Sequence, residues 1–124
     1  MSRTFAAIAA LTFILASSAA SAQVLKTADT PKGKTFVDAK GMTLYTFDKD
    51  TVLGKPMCND KCATQWPPLM AAAGATASGD WTIVTRNDGS KMWAFKGHPL
   101  YTFLDDKAAG DVTGDNKDNF KVAI

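Results

Sequence analysis

Apolar positions from residue 35 onward alternate with polar ones at a period of two, the spacing that places side chains two apart on one face of a strand. Phe36 and Val37 lead through Asp38-Ala39-Lys40-Gly41 into Met42-Thr43-Leu44-Tyr45-Thr46-Phe47, which predicts a β-hairpin with a loop of about four residues. Strands are expected again over 81–86, 91–95, 100–103 and 120–123, with Asn87-Asp88-Gly89-Ser90 and Lys96-Gly97-His98-Pro99 as turns. Residues 60–65 have room for one helical turn before Trp66-Pro67-Pro68 stops it, because proline disfavours helical backbone in the residue before it. Ala71 to Gly79 reads as a loop, and 23–34 as a loose arm.

A second pattern lies on top of the first. Gly41-Met42-Thr43-Leu44-Tyr45-Thr46-Phe47-Asp48-Lys49-Asp50 aligns without gaps with Gly97-His98-Pro99-Leu100-Tyr101-Thr102-Phe103-Leu104-Asp105-Asp106, at a constant offset of 56. Gly, Leu, Tyr, Thr, Phe and the final Asp coincide. A duplicated unit follows, with boundaries near 35–69 and 88–124, and the two copies are expected to pack about a pseudo-twofold axis. Within each copy, Tyr45 with Phe47 and Tyr101 with Phe103 share one face, while Leu44 and Leu100 face the other way. The rings can bury a large apolar area, and a tyrosine hydroxyl that is covered needs a polar partner; the alternative is a ligand groove floored by the paired tyrosines. Asp50 and Asp106 are placed to accept backbone N–H groups of the turn that follows.

Composition agrees with a mostly β chain. All 12 acidic residues are Asp, and Asp favours turns and caps where Glu favours helix interiors. The fold class expected is therefore mostly β: a small single domain of two duplicated β-hairpin or meander units with minor helix, over 35–124.

The amino-terminal residues change the setting. Arg3, the apolar stretch from Phe5 to Ala16 and the Ala20-Ser21-Ala22 end have the form of an export signal over 1–22. About 12 apolar residues fall short of the roughly 20 that a membrane-crossing helix needs, so no stable span is expected after cleavage. The chain is expected in the periplasm or outside the cell. Beyond residue 22, 13 of the 14 basic residues face 12 acidic ones, interspersed along the chain. Nucleic acid, which requires concentrated positive charge, is not an expected partner.

These residues resemble the bacterial "secreted repeat of unknown function", described as predicted lipoproteins with a Y-x-(F/W/Y)-x-x-D motif. The resemblance covers nearly the whole chain after the signal. It takes in Cys58 and Cys62 followed by Trp66-Pro67-Pro68-Leu69, Asp88-Gly89 leading to Trp93, both motif copies, and Gly110-Asp111. It implies export and tandem repeats, and it implies no biochemical role. The cysteine to which a lipid would be attached is missing at the expected cleavage point.

Candidate chemistry is sparse. Cys58 and Cys62 are the only cysteines, and in an oxidising compartment they are expected to form a disulfide that holds the Asn59-Asp60-Lys61 loop. The alternative is a copper- or thiol-handling site of Met57, Cys58, Cys62 and His98, since Cu(I) favours thiolate and thioether ligands. His98 alone reads as a turn residue before Pro99. Only Ser78 and Ser90 are available as serines beyond the signal, and no nucleophile elbow or triad pattern occurs. No catalytic residue and no cofactor is expected, and adjacent aspartates such as Asp105 and Asp106 read as solvated turn residues. Asp111, Asp115 and Asp118 crowd one late loop, but Asn116 stands where an EF-hand needs glycine. Trp66, Pro67 and Pro68 form a candidate partner surface, the alternative being packing of Trp66 over a sheet edge. The function expected is a non-enzymatic exported envelope domain that binds or scaffolds an envelope protein or a small ligand.

Overall fold

The computed structural model describes residues 26–124. The expected signal over 1–22 and the start of the arm at 23–25 lie outside the described residues. The rest of the arm is ordered: β1 (Lys26–Thr30) pairs antiparallel with β2 (Gly33–Val37), so the expectation of a loose segment over 26–34 is corrected. Pro31, with its fixed φ, and Lys32 make the two-residue connection, Gly33 at φ +96° opens β2, and the Thr30 hydroxyl accepts the Lys32 N–H within the turn. Polar residues such as Lys26, Asp29 and Lys34 hide a strand behind a composition that reads as loop.

β3 (Tyr45–Phe47), α1 (Lys61–Gln65), β4 (Trp81–Thr85), β5 (Lys91–Phe95), β6 (His98–Pro99) and β7 (Phe120–Val122) complete the chain. Three small antiparallel sheets result, β1-β2, β3-β7 and β4-β5-β6. The mostly β class, the minor helix and the two-unit organisation are as expected. At 86–90 the turn is closed by Asp88, whose carboxylate accepts the Ser90 N–H and hydroxyl, and by Gly89 at φ +90°.

The two units are joined by exchange rather than by simple apposition. β3 of the first unit pairs not with its own closing segment but with β7, the end of the second unit. Reciprocally, the second Tyr-Thr-Phe segment runs against residues 65–68 of the first unit: Thr102 N–H donates to Pro67 O at 2.8 Å and Leu104 N–H to Gln65 O at 2.9 Å. On the axis itself, Tyr45 and Tyr101 exchange both backbone bonds, at 2.7 and 2.9 Å. Farther out, Ala123 N–H donates to Leu44 O and Leu69 N–H to Leu100 O, again as a matched pair.

The core repeats this symmetry in its rings. Phe47, Phe120, Trp66 and Phe103 form one continuous stack, with successive centroids 4.3, 3.8 and 4.1 Å apart. The outer two rings come from the two motifs and the inner two from the two closing segments. Tyr45 meets Trp66 edge-on at 5.3 Å, and Tyr101 meets Phe120 edge-on at the same distance, the geometry favoured by ring quadrupoles. Leu44, Leu100 and Ala123 lie in a second buried cluster with Phe36, Leu69, Trp81 and Phe95, as the alternation requires.

Candidate functional site

Both motif tyrosines are fully buried, and each hydroxyl finds the aspartate of the opposite unit. Tyr45 Oη donates to Asp106 Oδ2 at 2.7 Å, and Tyr101 Oη donates to Asp50 Oδ2 at 2.9 Å. The other carboxylate oxygen of each Asp accepts a backbone N–H seven residues on, from Met57 at 2.6 Å and from Thr113 at 3.0 Å. The expected turn-binding role of Asp50 and Asp106 is therefore present, and the tyrosine is its missing half. Alternation along the strand placed each tyrosine on one face with its phenylalanine, and burial at 0% exposure decides against a groove floored by the tyrosines; nothing in one copy of the motif could show that the partner sits in the other.

Burial raises both tyrosines well above the ordinary phenol range, reinforced by the neighbouring aspartate. Burial also raises Asp50, opposed by the Met57 N–H, the Tyr101 hydroxyl and the Arg86 charge. These groups have shifted titrations, but every one of them is enclosed and already bonded. Such shifts mark active sites only where a cleft admits a substrate, so here they belong to the interlock.

The units differ where Cys58 stands opposite Gly114. Gly114 N–H donates to the Tyr45 hydroxyl at 3.2 Å, and a Cβ there would come within 2.6 Å of Trp66 and 2.9 Å of Phe103. Cys58 is buried in the same core cluster as Phe120, the smaller counterpart of Trp66. Cys58 and Cys62 are joined as a disulfide with Cα atoms 5.1 Å apart. The loop it closes is held from the far side by Arg86, a buried guanidinium that donates to Cys58 O at 2.8 Å and Asn59 Oδ1 at 3.1 Å. Arg86 was not singled out in the sequence; a lone arginine after an apolar strand gives no signal of burial.

The other sequence candidates are dispersed. Trp66 is only 1% exposed and sits within the ring stack, so it is a core residue and not a partner surface; Pro67 and Pro68 are half-buried beside the second motif. Met57 is exposed, both thiols are spent in the disulfide, and Cys58, Cys62 and His98 form no metal-holding group among the described residues. In the late loop each carboxylate has its own task. Asp111 accepts Lys107 and Ala108 N–H groups, Asp115 accepts Val122 N–H and pairs with Lys32, and Asp118 faces the Trp66 indole N–H at 3.4 Å.

Open grooves among the described residues include one of about 490 Å³ beside Lys55, Met57, Asn59 and Asn87, and one with aromatic walls; no sequence pattern pointed to either. The second, of about 340 Å³, is lined by Phe36, Phe95, Leu100 and Ile124, with Lys96 and His98 at its polar side. Phe36, Trp81 and Phe95 form a half-buried cluster with centroids 4.6–5.5 Å apart. Lys96 has φ +52° and Gly97 φ +86°, both central residues of the β5–β6 turn being left-handed. Such turns take Asn-Gly or Asp-Gly, and a lysine there costs roughly 1 kcal/mol or more. Its ammonium lies 5.4 Å from the Phe95 ring centre, over the aromatic wall. The matching corner of the first unit is different: Asp38 accepts the Lys40 and Met42 N–H groups and closes on itself.

Two exchanged β units, enclosing a paired Tyr–Asp interlock and carrying an aromatic groove on one side, define a duplicated β-repeat domain. The chain belongs to the family described as a secreted repeat of unknown function, whose model matches residues 26–70 and 82–122. The matched repeats start at β1 and β4, earlier than the units drawn from the motif alone. No curated protein and no solved structure matches the chain. No helix among the described residues is long and apolar enough to cross a membrane.

Proposed function

We propose that this chain is a non-enzymatic binding domain of the bacterial envelope, working in the periplasm or outside the cell, and that its working face is the groove beside Phe36, Phe95, Lys96 and His98. The ligand class is a small amphipathic anion: an aromatic or branched apolar body against the rings, with a carboxylate at Lys96 and His98. The observation that carries the reading is the strained lysine. A residue ill suited to its turn holds a cation over an aromatic wall, in the unit whose counterpart corner is polar and self-satisfied. A non-catalytic role is supported by the enclosure of Tyr45, Tyr101 and Asp50, each already hydrogen-bonded within the interlock.

Isothermal titration with 4-phenylbutyrate and its neutral analogue 4-phenylbutanol tests this. Saturable binding of the carboxylate, at least several-fold tighter than the alcohol, is expected. Lys96→Gln should abolish the difference while leaving the melting temperature unchanged or raised. Failure of the carboxylate to bind saturably, or equal affinity for the alcohol in the unaltered protein, overturns the proposal.

A further inference from the structure

Each unit leaves its own strand and its own closing segment unpaired and satisfies both with the other unit. A single unit would expose Tyr45, Leu44 and Trp66, all at most 1% exposed here, and would leave Asp50 without its phenol. The surface that one unit offers is therefore complementary to a unit of the same kind. What makes the pairing intramolecular is the connector from Ala71 to Asp80, Ala- and Gly-rich and mostly exposed, with only short local turns of its own.

The connector's task can be measured against the strands it passes. Ala71 is bonded beside Lys91, and Asp80 beside Lys96, on opposite sides of β5. Five residues along a strand at roughly 3.4 Å each, and two strand spacings of about 4.8 Å, separate its ends by about 19 Å. A short flexible link supplies an effective concentration in the millimolar range, which favours closure within one chain at ordinary protein concentrations.

From this we infer that a second copy of the chain is a partner for the same interface: the chain forms exchanged dimers in which Tyr45 of one copy bonds Asp106 of the other, and Tyr101 bonds Asp50. The aromatic groove goes with the exchange. Phe36 and Thr46 come from the first unit and Phe95, Lys96, His98, Leu100 and Val122 from the second, so in the dimer each groove is built from two chains.

Deleting residues 72–77 leaves three chain steps between Ala71 and Asp80, a reach of about 11 Å, too short to close within one chain. Light scattering after size exclusion should then give twice the chain mass, with the near-ultraviolet circular dichroism of the unaltered protein. A folded monomer, or a chain that stays unfolded at every concentration, overturns the inference. The unaltered chain gives a second test. Tagged and untagged copies refolded together at about 1 mM, where the link's advantage is matched, should yield a mixed dimer that dilution resolves slowly; recovery of monomer alone overturns it as well.

Discussion

Replacing Tyr45 with Phe removes one oxygen and leaves the ring. That oxygen donates to Asp106 at 2.7 Å and accepts the Gly114 N–H at 3.2 Å, both out of contact with water. A hydrogen bond to a charged group contributes about 1.5–3 kcal/mol, and a buried donor left without a partner adds about 1–3 kcal/mol more. Relaxation reduces the sum, so a loss of about 3 kcal/mol is expected for Tyr45→Phe. In a domain of this size each kcal/mol lowers the melting temperature by about 4–8 °C, which puts the loss on the order of 12–24 °C. The sharper quantity is a coupling energy. A double-mutant cycle in urea, followed by tryptophan fluorescence, should give about 1–2 kcal/mol between Tyr45→Phe and Asp106→Asn, as for residues in direct contact. The cycle of Tyr45→Phe with Asp50→Asn, the aspartate of its own motif, should give distinctly less. Equal or larger coupling within the motif would refute the exchange on which the fold description rests.

Four other outcomes follow from the geometry. The chain has only two tyrosines, both raised by burial; folded pKa values above the unfolded one stabilise fully below about pH 10 and lose that contribution as pH rises further. Absorbance at 295 nm should thus show no phenolate until circular dichroism reports unfolding, and a phenolate step near pH 10 with the fold intact would contradict the burial. Gly114→Ala should cost about 1–3 kcal/mol by overpacking against Trp66 and Phe103, read as a lower urea midpoint with unchanged slope. Reducing the disulfide, which closes a very short loop, should cost about 2 kcal/mol without unfolding the domain, measured by melting with and without reductant. Thr35→Val should stabilise by about 1 kcal/mol, since the Thr35 hydroxyl is fully buried with no hydrogen-bond partner, and a lowered melting temperature would show a bond there after all.

Much of the architecture was legible because duplication writes the same signal twice. The 56-residue offset, the two-residue alternation in Leu44-Tyr45-Thr46-Phe47 and the turn chemistry at Asn87-Asp88-Gly89 are local properties, and local properties survive in a linear text. Pairing between units is not local. Tyr45 lies opposite Val122, and no pattern near either residue names the other. Trp66 misled for a related reason: beside two prolines it looks like a displayed aromatic, yet the rings that enclose it come from residues 103 and 120. β1 escaped because it lies at a sheet edge, where strands carry lysine and aspartate to discourage pairing with other molecules. The groove was hidden for a different reason. Its walls are ordinary apolar residues, and the left-handed backbone of Lys96, which no local pattern announces, marks the place as unusual.

Delivery across a membrane gives the exchange a temporal meaning. A threaded polypeptide emerges from its amino end, and here the first unit cannot settle when it arrives, because the strand that completes Tyr45 is β7 of the second unit. Such long-range closure postpones collapse of the first unit until the second has followed it. The first unit thus stays loose enough for a narrow channel while β7 remains inside, and the two units become compact together once β7 is through.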